Sequence, residues 1–257
     1  MKVLVVGDLV GKSGYNKMKE ILPNIIKEND IDFVIVNGEN AADGMGITEK
    51  LYRGILASQV NVITMGNHTW GKKEIFNFIE EPNIIRPANY PNNNPGKGYR
   101  IYKCKNKSIA VINLLGRVSM SVLADNPFII AKDIINKIKD KVDIIIIDFH
   151  SEATAEKIAL SHYLDGEVTI IFGTHTHVQT ADEMILEKGT AYITDIGMTG
   201  PIKSVIGMDV KTSIKRFETL LPEKYKIAEG ECKFNGCIFE IDDLNNKVIK
   251  ITRINIQ

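Results

Sequence analysis

Short, wholly apolar runs alternate along the chain with longer stretches of mixed polarity. Val3 to Val6 and Phe33 to Val36 are the first two such runs. Consecutive β-formers with no polar alternation fit strands buried on both faces, as in parallel or sandwiched sheets. Between them, over residues 15–28, Met18, Ile21, Leu22, Ile25 and Ile26 recur at helical spacing, with Lys and Glu on the other side. The runs at residues 60–65, 142–147 and 168–172 predict further buried strands. Thr48 followed by residues 49–56 predicts a capped helix. Helices are also predicted over 72–79, 129–138 and 154–164. Residues 99–103 with 108–113, and 184–186 with 191–194, pattern as hairpins. Residues 86–98 hold Pro87, Pro91 and Pro95 among many asparagines and read as a long surface loop. Residues 117–128 read as irregular and 195–208 as a glycine-rich loop. The tail alternates over 237–241 and 248–251, as half-buried antiparallel strands do.

Helix–strand alternation followed by strand-rich hairpins predicts an α/β fold with a mixed sheet or two packed sheets. No internal repeat and no clean linker breaks the chain, so residues 1–257 are expected to form one domain.

Composition changes this picture little. Apolar content of 44% and charged content of 25% are ordinary for a globular protein. Lys plus Arg equal Asp plus Glu at 32 each, so nothing acts as a polyanion trap and long nucleic acid is not the expected partner. No apolar stretch reaches the ~20 residues that span a bilayer. The apolar start ends at Asp8 and has no cleavage site. The three cysteines, Cys104, Cys232 and Cys237, have no zinc spacing and fit reduced thiols. A cytoplasmic protein is expected.

The candidate chemistry sits where the apolar runs stop. The sharpest instance is Gly173-Thr174-His175-Thr176-His177, after the run ending at Phe172. If the strand continues, residues i and i+2 share a side, so His175 and His177 are expected to face one way, as two ligands of one metal would. Taken alone, the pair also fits solvated loop histidines. But Asp8, Glu39 with Asn40, Asn67 with His68, and His150 each follow another run within a few residues. Four of the five histidines therefore fall at strand ends, and open α/β sheets build their sites at the carboxyl ends of strands. Carboxylate, carboxamide and imidazole without thiolate suit Fe, Mn or Zn. Asp8, Glu39, Asn40, Asn67, His150, His175 and His177 are too many ligands for one tetrahedral ion. Two ions ~3.5–4 Å apart, as in phosphatases and nucleases, would use them all.

Gly7-Asp8, Gly38-Glu39-Asn40, Gly66-Asn67-His68, His150 and the Gly-Thr-His-Thr-His block together resemble the calcineurin-like metallophosphoesterases, over essentially the whole chain. They are closest to the bacterial YmdB-like phosphodiesterase branch. The resemblance implies a four-layer α/β/β/α sandwich with two packed mixed β-sheets, two divalent ions (Fe or Mn first, Zn third), and hydrolysis of small 2′,3′-cyclic nucleotides. By the same resemblance Glu39 would bridge the ions. Asp8 and His177 would complete the first, with Asn40 nearby, and Asn67, His150 and His175 would hold the second. The departure is Val10, where most of the superfamily has a ligating histidine. Asn40 could fill that vacancy through its carbonyl oxygen.

On this reading two ions hold the phosphate oxygens and acidify a bridging water, whose hydroxide attacks phosphorus in line. His68 is the expected proton donor to the leaving ribose oxygen. Asp148 would support a ligand, and Arg86, Arg117 and Trp70 are weaker substrate candidates. The alternatives are a broader phosphatase, a nuclease acting on RNA ends, or a non-catalytic regulatory module. The sequence leaves the association state open, with a symmetric homo-oligomer as one form it could take.

Overall fold

The computed structural model describes residues 1–224 and 226–257. In chain order, β1 (Lys2–Val6) and β2 (Asp8–Leu9) lead into α1 (Gly11–Asn29). Then come β3 (Phe33–Asn37), α2 (Glu49–Leu56), β4 (Val62–Thr64), a 3₁₀ turn (Lys73–Asn77) and β5 (Ile84–Ile85). The middle of the chain gives β6 (Tyr99–Cys104), β7 (Lys107–Leu115), α3 (Pro127–Ile138), β8 (Ile144–His150), α4 (Thr154–Tyr163) and β9 (Ile170–Thr174). The end gives β10 (Met184–Ile185), β11 (Ala191–Ile193), β12 (Met198–Pro201), α5 (Val210–Thr219), β13 (Cys232–Ile241) and β14 (Val248–Ile256).

Two mixed sheets form. One runs β2-β12-β13-β1-β3-β4-β5, with β14 paired to β13; the other runs β10-β11-β9-β8-β7-β6. Three apolar cores separate four layers. Leu4, Val6, Val34 and Val36 pack outward against Met18, Leu22 and Ile55 of α1 and α2. Val3, Val5, Phe33 and Ile35 face inward against Ile144, Ile146, Ile170 and Phe172 of the other sheet. Ile145, Ile147 and Phe149 meet Ile134, Ile138 and Leu160 of α3 and α4. The two-residue period of a strand thus sends each continuous apolar run into two cores at once. This is the expected α/β/β/α sandwich.

The same period explains where the polar residues go. Asn37 continues the inward face of Phe33 and Ile35, Asp148 and His150 that of Ile144 and Ile146, and Thr174 that of Ile170 and Phe172. All four polar side chains are buried. The layer between the sheets is therefore apolar along most of its length and polar at its carboxyl-terminal end.

Several local expectations need correction. The stretch at 195–208 is not all loop, because Met198–Pro201 is a strand, parallel to β2 and antiparallel to β13. The predicted helix at 72–79 is a short 3₁₀ turn. The helix expected from 129 begins at Pro127, which suits a first helical position, with Asn126 capping Phe128 N. The first half of 86–98 is not a surface loop: Arg86, Asn89 and Tyr90 are buried. Among the described residues, no helix is long and apolar enough to cross a membrane.

Candidate metal centre

Strands β1, β3 and β4 are parallel in one sheet, and β8 and β9 are parallel in the other. Their carboxyl ends bring Asp8, Glu39, Asn40, Asn67, His68, His150, His175 and His177 into one cluster. Glu39 is its hub. Its Oε1 lies 3.1 Å from His150 Nε2 and accepts from Asn40 Nδ2 at 3.2 Å. Its Oε2 accepts the His68 backbone N–H at 2.8 Å. Gly66 makes this approach feasible, since a Cβ there would lie 2.3 Å from Glu39 Oε2 and 2.5 Å from the His150 ring.

His150 Nε2 is also 3.0 Å from Asn67 Oδ1 and 3.0 Å from His175 Nδ1. A carboxylate oxygen, an amide oxygen and an imidazole lone pair therefore converge on one N–H. The opposite nitrogen, His150 Nδ1, is 2.9 Å from Thr174 Oγ1, which donates to Asp148 Oδ1 at 2.6 Å. Thr174 gives its single hydrogen to the carboxylate, so its oxygen accepts from His150. Asn37 Nδ2 donates to the other Asp148 oxygen at 3.1 Å, from the facing sheet. Asp148 thus supports His150 through Thr174.

His175 and His177 do not reach the cluster by strand alternation. Strand β9 ends at Thr174, and both histidines take left-handed backbone, with φ of 97° and 65°. The turn splays the two rings to different flanks of the cluster. His175 stacks edge-on to His150. His177 Nε2 meets Asn40 Nδ2 at 3.1 Å and lies 3.8 Å from Asp8 Oδ1. Its Nδ1 donates to the Ile206 carbonyl at 2.8 Å, leaving Nε2 bare towards the cluster. Asp195 secures the turn by accepting from Thr176 N and Oγ1, and the buried Lys157 ammonium bonds both Asp195 and the Thr174 carbonyl at 2.8 Å.

His68 Nδ1 donates to Asn40 Oδ1 at 2.8 Å. The Asn40 amide nitrogen, not its oxygen, therefore faces Glu39, Asp8 and His177. Val10 packs against Gly200 and Gly207, where Cβ atoms would lie 3.0 and 2.6 Å from its side chain. Arg86 is no phosphate ligand. Its guanidinium is spent on the carbonyls of Pro87, Asn94 and Pro95. Trp70 stacks on Phe76 and tilts against Tyr90, and His162 lies exposed on α4.

The electrostatics reflect lone pairs crowded out of water. Burial pushes the Asp8 carboxyl up to about 6, against the pull of His177 and His150. Burial also raises Glu39, but His150 and His68 more than reverse this and hold it well below the usual carboxylate range. Burial disfavours charge on His150, yet Glu39, Asp8 and Asp148 bring it up to about 9. Burial and the neighbouring His150 push His175 down to about 3. In this arrangement the His150 imidazolium supplies the positive charge on which the acceptors converge. One oxygen or nitrogen from each of Glu39, His150 and His175 lies within 4.8 Å of the others, a spacing able to hold a metal ion. The donor types fit a divalent cation of borderline hardness. Asn37, Lys157 and the Ile206 carbonyl are supports that no local motif announced, and the Gly-Thr-His-Thr-His block gave Thr174 no role. Each depends on a partner distant in sequence.

Comparison with known proteins gives the family. The 2′,3′-cyclic-nucleotide 2′-phosphodiesterase of Bacillus subtilis (strain 168) is 51% identical over 257 residues, covering 100% of this chain and 97% of the relative. The crystal structure of a novel phosphatase from Mycoplasma pneumoniae superposes with a TM-score of 0.95 at 40% identity, covering 100% of this chain and 93% of the other. The NAD nucleotidase of Haemophilus influenzae shares the fold alone, with a TM-score of 0.63 at 14% identity over 99% of this chain and 55% of that one. The YmdB-like protein family matches residues 4–254, and the chain belongs to that family.

Proposed function

We propose that the cluster holds two divalent metal ions and hydrolyses phosphodiesters, with 2′,3′-cyclic nucleotides as the substrate class. The observation that carries this is the convergence of Glu39 Oε1, Asn67 Oδ1 and His175 Nδ1 on the single His150 Nε2–H. Lone pairs packed this closely repel one another unless a positive charge sits among them, and a metal ion would take the place that the His150 proton holds in the metal-free chain. Asn67, His150 and His175 would hold one ion, Asp8 and His177 the other, and Glu39 both; Asn40 would join the second ion only with its amide turned over, since its nitrogen faces Glu39 and His177. Fe or Mn suits this set first and Zn third. When bound, such ions supply Lewis-acid polarisation of the phosphate oxygens and an acidified water as nucleophile.

The protein's own groups do the rest. Asp148, through Thr174, holds the His150 ring in register, and the Ile206 carbonyl does the same for His177. His68 stands at the rim with a 31% exposed side chain. Its Nδ1 is tied to Asn40, which leaves Nε2 as the ring atom that protonates the leaving ribose oxygen. The relative from B. subtilis is the ground for the cyclic substrate. The M. pneumoniae relative, a phosphatase, makes phosphomonoesters the second reading. The test is turnover of 2′,3′-cyclic AMP, 3′,5′-cyclic AMP, an RNA oligonucleotide and a phosphomonoester by metal-loaded and metal-depleted protein. Metal-dependent turnover with preference for the 2′,3′-cyclic diester is expected. Equal turnover after complete metal removal contradicts the proposal.

A further inference from the structure

We propose that Glu152 is a positioning residue for His175, and through it for one of the two metal ions; the inference rests on the metal-binding reading above. Each of the three proposed ligating imidazoles uses one nitrogen inward and anchors the other. His150 is anchored through Thr174 on buried Asp148, and His177 on the Ile206 carbonyl. The anchor of His175 is the Glu152 carboxylate, with Oε2 3.1 Å from Nε2.

This anchor has more to do than that of His150. His150 belongs to β8, and its ring direction follows from the strand. His175 comes after β9 has ended, on a backbone with φ of 97°, a conformation few side chains adopt. Its ring direction therefore rests on side-chain contacts, namely His150 on one side and Glu152 on the other. A carboxylate can only accept, so Glu152 fixes the hydrogen on Nε2 and leaves the Nδ1 lone pair turned towards Glu39 and His150. The turn that carries Glu152 is itself pinned, because Ser151 Oγ donates to Glu156 Oε2 at 2.9 Å. The end of β8 thus supplies one ligand, His150, and two residues later the group that aims its neighbour.

The test is calorimetric titration of metal-depleted protein with Mn²⁺, for the wild type, Glu152→Ala and Glu152→Gln. The wild type is expected to bind two equivalents. In Glu152→Ala one equivalent should weaken by roughly 10–100-fold, the usual effect of losing an anchor behind a ligating histidine, while the other stays as tight. Glu152→Gln keeps an acceptor oxygen and should recover most of the loss. Adding Glu152→Ala to His175→Ala should cost nothing further, because the two act through one contact. Unchanged affinity of both equivalents in Glu152→Ala overturns the inference, and so does equal weakening of both. If the wild type itself takes up no Mn²⁺, the metal-binding reading fails and the inference falls with it.

Discussion

At the scale of single residues, the site is a set of lone pairs that need a cation and a set of anchors that aim them. His68 stands apart from both sets, because its proposed work is proton transfer. His68→Ala should keep its metals and lose about 10²–10⁴-fold in turnover, the range of general acid help. Steady-state rates with metal analysis of the same sample check this, and a variant as fast as the parent contradicts the role. Asn40 makes a sharper case. Its nitrogen faces Glu39 and His177 while its oxygen holds His68, so an oxygen ligand from this residue needs the amide turned over. Asn40→Asp offers an oxygen on either side and should retain metal, whereas Asn40→Ala should lose part of it. Full occupancy in Asn40→Ala would show that Asn40 is not a ligand. Val10 packs into the surface of Gly200 and Gly207, so restoring histidine there should not restore a ligand. Val10→His should instead destabilise the fold by about 1–3 kcal/mol through overpacking, measured by denaturant unfolding.

At the scale of elements, the strands were legible because their apolar runs are continuous, and the helices over 15–28, 49–56 and 154–164 because their faces are periodic. Helix α5 carries Val210, Ile214 and Phe217 at helical spacing, yet these are exposed and Ser213 is its buried residue, so that periodicity marks no core face. Strand β12 contains Gly200 and Pro201, which read as loop, and only pairing with β2 and β13 makes it a strand. The residues bearing the chemistry were legible because each closes an apolar run. Strand alternation does not direct His175 and His177; a left-handed turn does. What holds that turn is also invisible locally: Lys157 comes from α4 and Asp195 from beyond β11. Both side chains are buried, so removing one partner strands the other. Lys157→Met should cost about 3–5 kcal/mol in stability and loosen metal binding at the turn. Urea unfolding that matches the parent would show that the pair is not what fixes it.

At the scale of the whole molecule, the two sheets are joined by an apolar layer that ends in a shared polar edge. Residues 1–257 are therefore expected to unfold as one domain, in a single calorimetric transition. The polar edge also sets the pH response of the metal-free protein. His150 keeps its proton up to about 9 when folded, against an ordinary value of 6.5. The folded chain thus holds an extra proton across that window. The stabilisation is complete below pH 6.5 and is lost as pH rises through 9. Thermal melts in the presence of a chelator should fall across this range. With metals bound, the ion takes over from the proton and the fall should vanish, because ligation requires neutral imidazole and strengthens with pH. A chelated protein as stable at pH 9 as at 6.5 would contradict this.

The most direct test is anomalous diffraction from crystals of anaerobically purified protein, with the metal content of the same batch measured. Two peaks should appear, one bounded by Glu39, Asn67, His150 and His175 and one by Asp8, Glu39 and His177. A fully occupied crystal with its metal elsewhere, or protein that takes up none when metal is supplied in excess, would contradict the account.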